Sequence, residues 1–289
     1  SGAQDVASVK KKIETEDYKG AKNDLTNLLT KTPRDNELLT LRGEANLGLG
    51  DYYAAIGDFN FALEVDSLFT KALNHRGLAK MALGDDDSAI RDFDKAIRID
   101  PKFEEALTNR GLAKYNIEDL QGAYFDFTKA LELGTPNADK YFNRGVVKAE
   151  LGEFVSAIDD YTKAISFDSK DATLFNYRGV AHYNVGNYDL AIADYDQAIK
   201  LNDQDAVQYE NRALARSAKE DHKNALTDYD KAVSLSPEDP DTYNLRGVVK
   251  YTLEDYEGAI QDYTTAIEID PENPLYYDNR ALCKTDKED

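Results

Sequence analysis

The chain has 289 residues, 42% of them hydrophobic and 31% charged. This composition suits a folded core and excludes a disordered tail, and no run of about 18 apolar residues offers a membrane span. The 35 lysines and arginines against 55 aspartates and glutamates leave a net charge of −20, which disfavours binding to a phosphate backbone. One cysteine, Cys283, excludes an internal disulfide framework. His75, His182 and His222 are too scattered, and too far from cysteine companions, to imply zinc.

Residues 2–35 carry a degenerate copy of a pattern that becomes regular at residue 36. Arginine recurs at 42, 76, 110, 144, 178, 212, 246 and 280, every step being 34 residues. Sixteen residues after each of the first seven stands an aspartate: Asp58, Asp92, Asp126, Asp160, Asp194, Asp228 and Asp262. Alanines precede each aspartate by three residues (55, 89, 123, 157, 191, 225, 259) and follow it by four (62, 96, 130, 164, 198, 232, 266). In residues 2–35 the matching slots hold Ser8 for arginine, Val9 for the small residue that follows it, and Leu28 for the second alanine, as suits a terminal cap packed on one neighbour.

Each repeat predicts two helices. In the fifth, Tyr141 to Glu150 form the first, Gly152 marks the turn, and Ser156 to Phe167 form the second, with Ala157, Ile158, Tyr161, Ala164 and Ile165 on one apolar stripe. The residue after each turn is Asp17, Asp51, Asp85, Asp119, Glu153, Asn187, Asp221 or Asp255, mostly side chains that cap a helix start and suit its dipole. The turn glycine gives way to Glu118, Glu220 and Glu254, departures expected to matter little. All seven prolines (33, 101, 136, 237, 240, 271, 274) fall where one repeat joins the next. The register predicts eight repeats over 2–273 (2–35, 36–69, 70–103, 104–137, 138–171, 172–205, 206–239, 240–273). Residues 274–289 then hold one more first helix, either a cap or the start of a ninth repeat. Thr285 to Asp289 align with Ser217 to Asp221 and with Tyr251 to Asp255, which lead into second helices, so the natural chain is expected to continue. Ser1-Gly2 reads as a cloning remnant, or Ser1-Gly2-Ala3 as the end of a secretory signal that would place the protein in a bacterial periplasm rather than the cytoplasm.

These registers resemble the tetratricopeptide repeat (TPR) family over nearly the whole chain. A large residue opens each first helix (Leu39, Leu73, Leu107, Tyr141, Phe175, Tyr209, Tyr243, Tyr277). A small one follows the arginine (Gly43, Gly77, Gly111, Gly145, Gly179, Ala213, Gly247, Ala281), and a ring fills the second helix (Phe59, Phe93, Phe127, Tyr161, Tyr195, Tyr229, Tyr263). The resemblance implies an all-α, right-handed superhelical solenoid of antiparallel helix pairs whose first helices line a concave groove. It also implies a protein–protein interaction scaffold that binds an extended peptide or a partner's helix. The alternative is a structural spacer in a larger assembly, or the interaction module of a longer enzyme.

The arginines and aspartates, Arg42 with Asp58, Arg76 with Asp92, Arg110 with Asp126, Arg144 with Asp160, Arg178 with Asp194, Arg212 with Asp228 and Arg246 with Asp262, read as structural ion pairs joining two helices. No Gly-rich phosphate loop, Gly-x-Ser-x-Gly elbow or His-Glu-x-x-His helix is present, so no catalysis and no cofactor are expected. Asp85-Asp86-Asp87 and Asp159-Asp160 lack calcium-loop spacing, and no metal is expected.

By resemblance, the slot before the arginine faces the groove: Leu41, His75, Asn109, Asn143, Tyr177, Asn211, Leu245 and Asn279. An amide there can donate to and accept from an extended backbone, or can bond the neighbouring helix instead. Two residues past the arginine come Leu78, Leu112, Val146, Val180, Leu214, Val248 and Leu282. Five past it come Met81, Tyr115, Tyr183 and Tyr251. These form an apolar floor with tyrosine steps if they face the groove, or else they pack between helices. Such a floor in an acidic chain suits a net basic partner with apolar side chains. The family's co-chaperone type grips a C-terminal carboxylate from the slot two before the arginine. Here that slot holds Thr40, Asn74, Thr108, Phe142, Asn176, Glu210, Asn244 and Asp278. None is basic, so a carboxylate-clamp adaptor is not expected.

Overall fold

The computed structural model describes residues 2–288, with backbone alone for Ala3 and Gln4. Ser1, the side chain of Ala3 and Asp289, on which the readings of the two ends turn, lie outside the described residues. Helices occur in pairs joined by short turns, and no strand is present among the described residues. The fold class is the all-α helical repeat expected from the register.

Two compact units emerge, Ser1–Pro136 and Asn137–Asp289. In the first, α1 (Gly2–Glu14), α2 (Tyr18–Lys31), α3 (Asn36–Gly48), α4 (Tyr52–Val65), α5 (Thr70–Ala82), α6 (Asp86–Ile99), α7 (Glu104–Asn116) and α8 (Leu120–Leu133) pack in sequence. First helices also touch: α1 meets α3, α3 meets α5, and α5 meets α7. The second unit follows the same plan with α9 (Ala138–Glu150), α10 (Phe154–Phe167), α11 (Ala172–Asn184), α12 (Tyr188–Leu201), α13 (Ala206–Ala218), α14 (His222–Leu235), α15 (Pro240–Thr252), α16 (Tyr256–Ile269) and α17 (Pro274–Glu288).

Local chemistry sets the helix ends. Asp17, Asp51, Asp85, Asp119, Asp221 and Asp255 each cap a second helix by accepting a backbone N–H. Glu153 and Asn187 hold the same position without a side-chain cap bond. First helices start earlier than the apolar stripe alone predicts. In α9, Asn137 accepts from the Lys140 N–H at 2.9 Å, so the helix begins at Ala138 rather than Tyr141. Pro240 and Pro274 open α15 and α17 instead of lying between helices. The first turn needs no donor at its opening residue, and the fixed φ of proline suits it. The residues matching earlier turns, Thr285 to Glu288, continue α17 as helix.

The turn glutamates are less neutral than expected. Glu16, Glu118, Glu220 and Glu254 take φ values of 62–64°, the left-handed region that Gly50, Gly84, Gly152 and Gly186 occupy at the same turn. A side chain there costs roughly 1–2 kcal/mol.

The core runs through each helix pair. The recurring alanines are buried, and so are the rings from Phe59 to Tyr263, each contributing roughly 1.5–3 kcal/mol by leaving water. The small slot lets the ring in. A Cβ on Gly43 would sit 2.3 Å from the Phe59 ring, and one on Gly145 would sit 2.7 Å from Tyr161.

Candidate functional site

The ion pairs tie first helices to their second helices. Arg76 bonds Asp92 through Nε at 2.9 Å and Nη2 at 2.6 Å, and the fork recurs at Arg110–Asp126, Arg144–Asp160, Arg178–Asp194, Arg212–Asp228 and Arg246–Asp262. Arg42 holds Asp58 in the same way. Several arginines also reach back to the preceding second helix: Arg110 to Asp94 at 2.8 Å, Arg212 to Asp196 at 2.9 Å and Arg246 to Asp230 at 3.1 Å. One planar side chain thereby ties three helices, a task its fixed fork of donors suits.

A second cation meets five of the seven aspartates. One helical turn past the arginine, Lys80, Lys114, Lys148, Arg216 and Lys250 meet the same carboxylates as the forks, at 2.7–3.2 Å. Asn46 takes this place in α3, donating to Asp58 at 3.0 Å. His182 takes it in α11, 3.9 Å from Asp194. Burial lowers the His182 pKa from its ordinary 6.5, and Arg178 adds to this against the pull of Asp194.

Three of the asparagines before the arginine bond back to the first helix of the preceding repeat. Asn109 Nδ2 donates to Asn74 Oδ1 at 2.9 Å, Asn211 to Asn176 at 3.0 Å and Asn279 to Asn244 at 2.9 Å. Where the sequence carries Phe142 and Tyr177 in the paired slots, the rings meet edge to face at 5.0 Å instead. The two slots are thus one joint between successive repeats, legible in sequence only by matching residues 35 apart. Asn109 is buried, whereas Asn143, Asn211 and Asn279 remain partly accessible. His75 bonds the Lys71 carbonyl at 2.8 Å and stacks on Phe59.

The apolar slots divide. Leu78 and Met81 pack against Phe93, Val146 against Tyr161, Tyr183 against Tyr195, and Tyr251 against Tyr263. Leu112, Tyr115 and Leu214 are half-buried. In the second unit, Val180 is 36% exposed, Val248 40% and Leu282 54%, and Tyr177 beside them is 40% exposed. Val146, Val180, Leu214, Val248 and Leu282 therefore hold one slot of successive first helices, open to solvent at Val180, Val248 and Leu282 and half-buried at Val146 and Leu214.

Acidic groups sit on α13, α15 and α17, which also carry Leu214, Val248 and Leu282. Glu210 accepts from the Thr242 hydroxyl, yet burial, reinforced by Asp239, Asp205 and Asp241, raises its carboxyl above the ordinary 4.5. Tyr276 Oη donates to Asp241 at 2.5 Å, and the Tyr251 hydroxyl donates to Asp286. Among the described residues, no three His, Cys, Asp or Glu side chains gather as metal ligands, and no helix is long and apolar enough to cross a membrane.

A Tetratricopeptide repeat model matches residues 172–205 and 240–273, and a TPR repeat model matches 77–117 and 214–254. No curated protein matches the sequence. Among solved structures, the APC/C hetero-tetramer Cut9-Hcn1 aligns with TM-score 0.64 at 18% identity, over 92% of this chain and 52% of that one. The present chain thus spans about half the length of that relative. A tetratricopeptide repeat protein from Parabacteroides merdae aligns with TM-score 0.63 at 20% identity, over 86% and 98% of the two chains. YrrB, described as a TPR protein with an unusual peptide-binding site, aligns with TM-score 0.56 at 22% identity, over 62% and 92%. At these identities the likeness is one of fold. Proteins of this fold are in general non-catalytic scaffolds for protein–protein interaction. With the register of residues, the paired helices and the model matches in agreement, the chain belongs to the tetratricopeptide repeat family.

Proposed function

We propose that the first-helix face of the second unit binds an extended, net basic peptide whose alternate side chains are apolar. The observation that carries this reading is the solvent-open set of Val180, Val248 and Leu282, which share one slot of the 34-residue repeat, with Tyr177 beside Val180 on the same helix. Exposed apolar surface in register marks an interaction site more readily than scattered exposure does. Asp241, Asp278 and Glu210 on the same helices supply the opposite charge to a basic ligand. The free donor and acceptor capacity of Asn143 and Asn211 can serve the peptide backbone, although Asn211 already gives one amide hydrogen to Asn176.

Selection of peptides from a random displayed library, followed by calorimetry, tests this. Selected peptides should be rich in lysine or arginine with alternating apolar positions. The Val180→Ser, Val248→Ser protein should bind them about 10-fold more weakly, through loss of apolar contact area. Raising the salt should slow association while leaving the apolar contribution. Unchanged affinity in that double variant, with exchange protection mapping to the second helices, would sink the reading.

A further inference from the structure

The first helix pair departs from the others at one place, and the departure leaves a cavity. In the later pairs the arginine fork fills the space between first and second helix and ends on its aspartate. In α1 the arginine slot holds Ser8, while the aspartate persists on α2 as Asp24. A cavity of about 270 Å³ opens there, lined by Ser8, Asp24, Asp5, Val9, Asn27, Leu28 and Lys31.

Three observations describe what fits. Asp24 is 40% exposed at its side chain, whereas the matching aspartates are 0–10% exposed beneath their arginines. Its Oδ2 receives Lys12 at 2.5 Å, the cation one turn past the arginine slot, and its Oδ1 has no hydrogen-bond partner among the described residues. Asp92, Asp126, Asp160, Asp228 and Asp262 hold two cations each, so one cation at Asp24 leaves the carboxylate half used. Lastly, the slot three before the arginine, which places a ring against the guanidinium in α11, α13, α15 and α17, carries Asp5. A second carboxylate stands where the ring would be.

We propose that this cavity receives an arginine side chain of a partner protein, which completes in trans the fork that Ser8 cannot supply. The site lies between α1 and α2 and is independent of the first-helix face of the second unit. Arginine suits it better than lysine because a planar fork can take Asp24 Oδ1 while Lys12 keeps Oδ2, with Asp5 and the Asn27 amide oxygen available to its other nitrogens. Lys12 and Lys31 are the cations the entering group must tolerate. Their side chains are long enough to move outward into water.

The test uses the full chain, isotope-labelled, titrated with N-acetyl-L-arginine methylamide and with its citrulline counterpart, which keeps the shape and removes the charge. Saturable shifts are expected in α1 and α2 amides near Ser8 and Asp24, with binding at least about 10-fold tighter for arginine than for citrulline. Asp24→Asn should abolish the difference. Ser8→Arg should block binding and raise the unfolding midpoint, because the slot is then filled from within. Equal affinity for the two compounds, absence of saturable shifts at α1 and α2, or undiminished arginine binding in either variant would overturn the proposal.

Discussion

An aspartate held by two cations behaves differently from one held by a single partner. Removing Arg42 strands Asp58 and should cost about 3 kcal/mol, the lower end for a buried pair, because Arg42 is itself a quarter exposed. Arg42→Leu with Asp58→Leu should regain much of that, since the third partner, Asn46, is neutral. The same cycle at Arg144 and Asp160 should regain little, because it leaves buried Lys148 without its carboxylate. Urea unfolding of the wild type and the six single and double variants checks both cycles, and equal recovery at the two sites would show that Lys148 is indifferent to Asp160. The arginines and aspartates were legible in sequence because their identity never changes. The second cation was not, because asparagine, lysine, histidine and arginine share that slot and no single letter recurs.

His182 makes one of these clusters sensitive to acid. Its folded pKa lies below the unfolded value of 6.5, so the folded chain binds fewer protons. Its contribution to stability is present above that pH and is lost as the pH falls through it. His182→Gln should therefore flatten the dependence of the unfolding midpoint between pH 7 and pH 5, and an unchanged slope would refute the assignment. At the turns, Glu220→Gly and Glu254→Gly should each raise stability by about 1 kcal/mol through relief of the left-handed backbone, with thermal unfolding as the measure.

At the level of the helices, the period of 34 and the apolar stripes located both members of every pair, and the aspartates after the turns located the starts of the second helices. The starts of the first helices escaped because their caps, such as Asn137 and Asp171, precede the apolar stripe by several residues. The face of the first helices was read only in part. Resemblance left the asparagines facing either a ligand or the neighbouring helix, because whether an amide is free depends on the helix beside it, which a residue-by-residue reading of one repeat does not contain. Asn211→Ala should cost about 1 kcal/mol by breaking the bond to Asn176. Combined with Asn176→Ala the loss should be less than additive, and additive losses in chemical unfolding would show that the amides are energetically separate.

Across the molecule, helices meet mainly their chain neighbours within each unit, so stability should approach a sum over repeats and joints rather than one cooperative quantity. The calorimetric enthalpy of unfolding should exceed the van't Hoff value, and amide exchange should be fastest in α1 and α17. Uniform protection from residue 2 to 288 would contradict this. Modules so alike in sequence also carry a hazard, since a growing chain can pair them out of order. The matched residues at the joints act as an address against that error. Transposing 172–205 with 206–239 would set Phe142 beside Asn211 and Asn176 beside Leu245, replacing a ring contact and an amide bond with two mismatches. Repeats that look interchangeable thus differ in which neighbour they accept where a ring seam adjoins an amide seam, and there the order of the array is inscribed in the residues that meet.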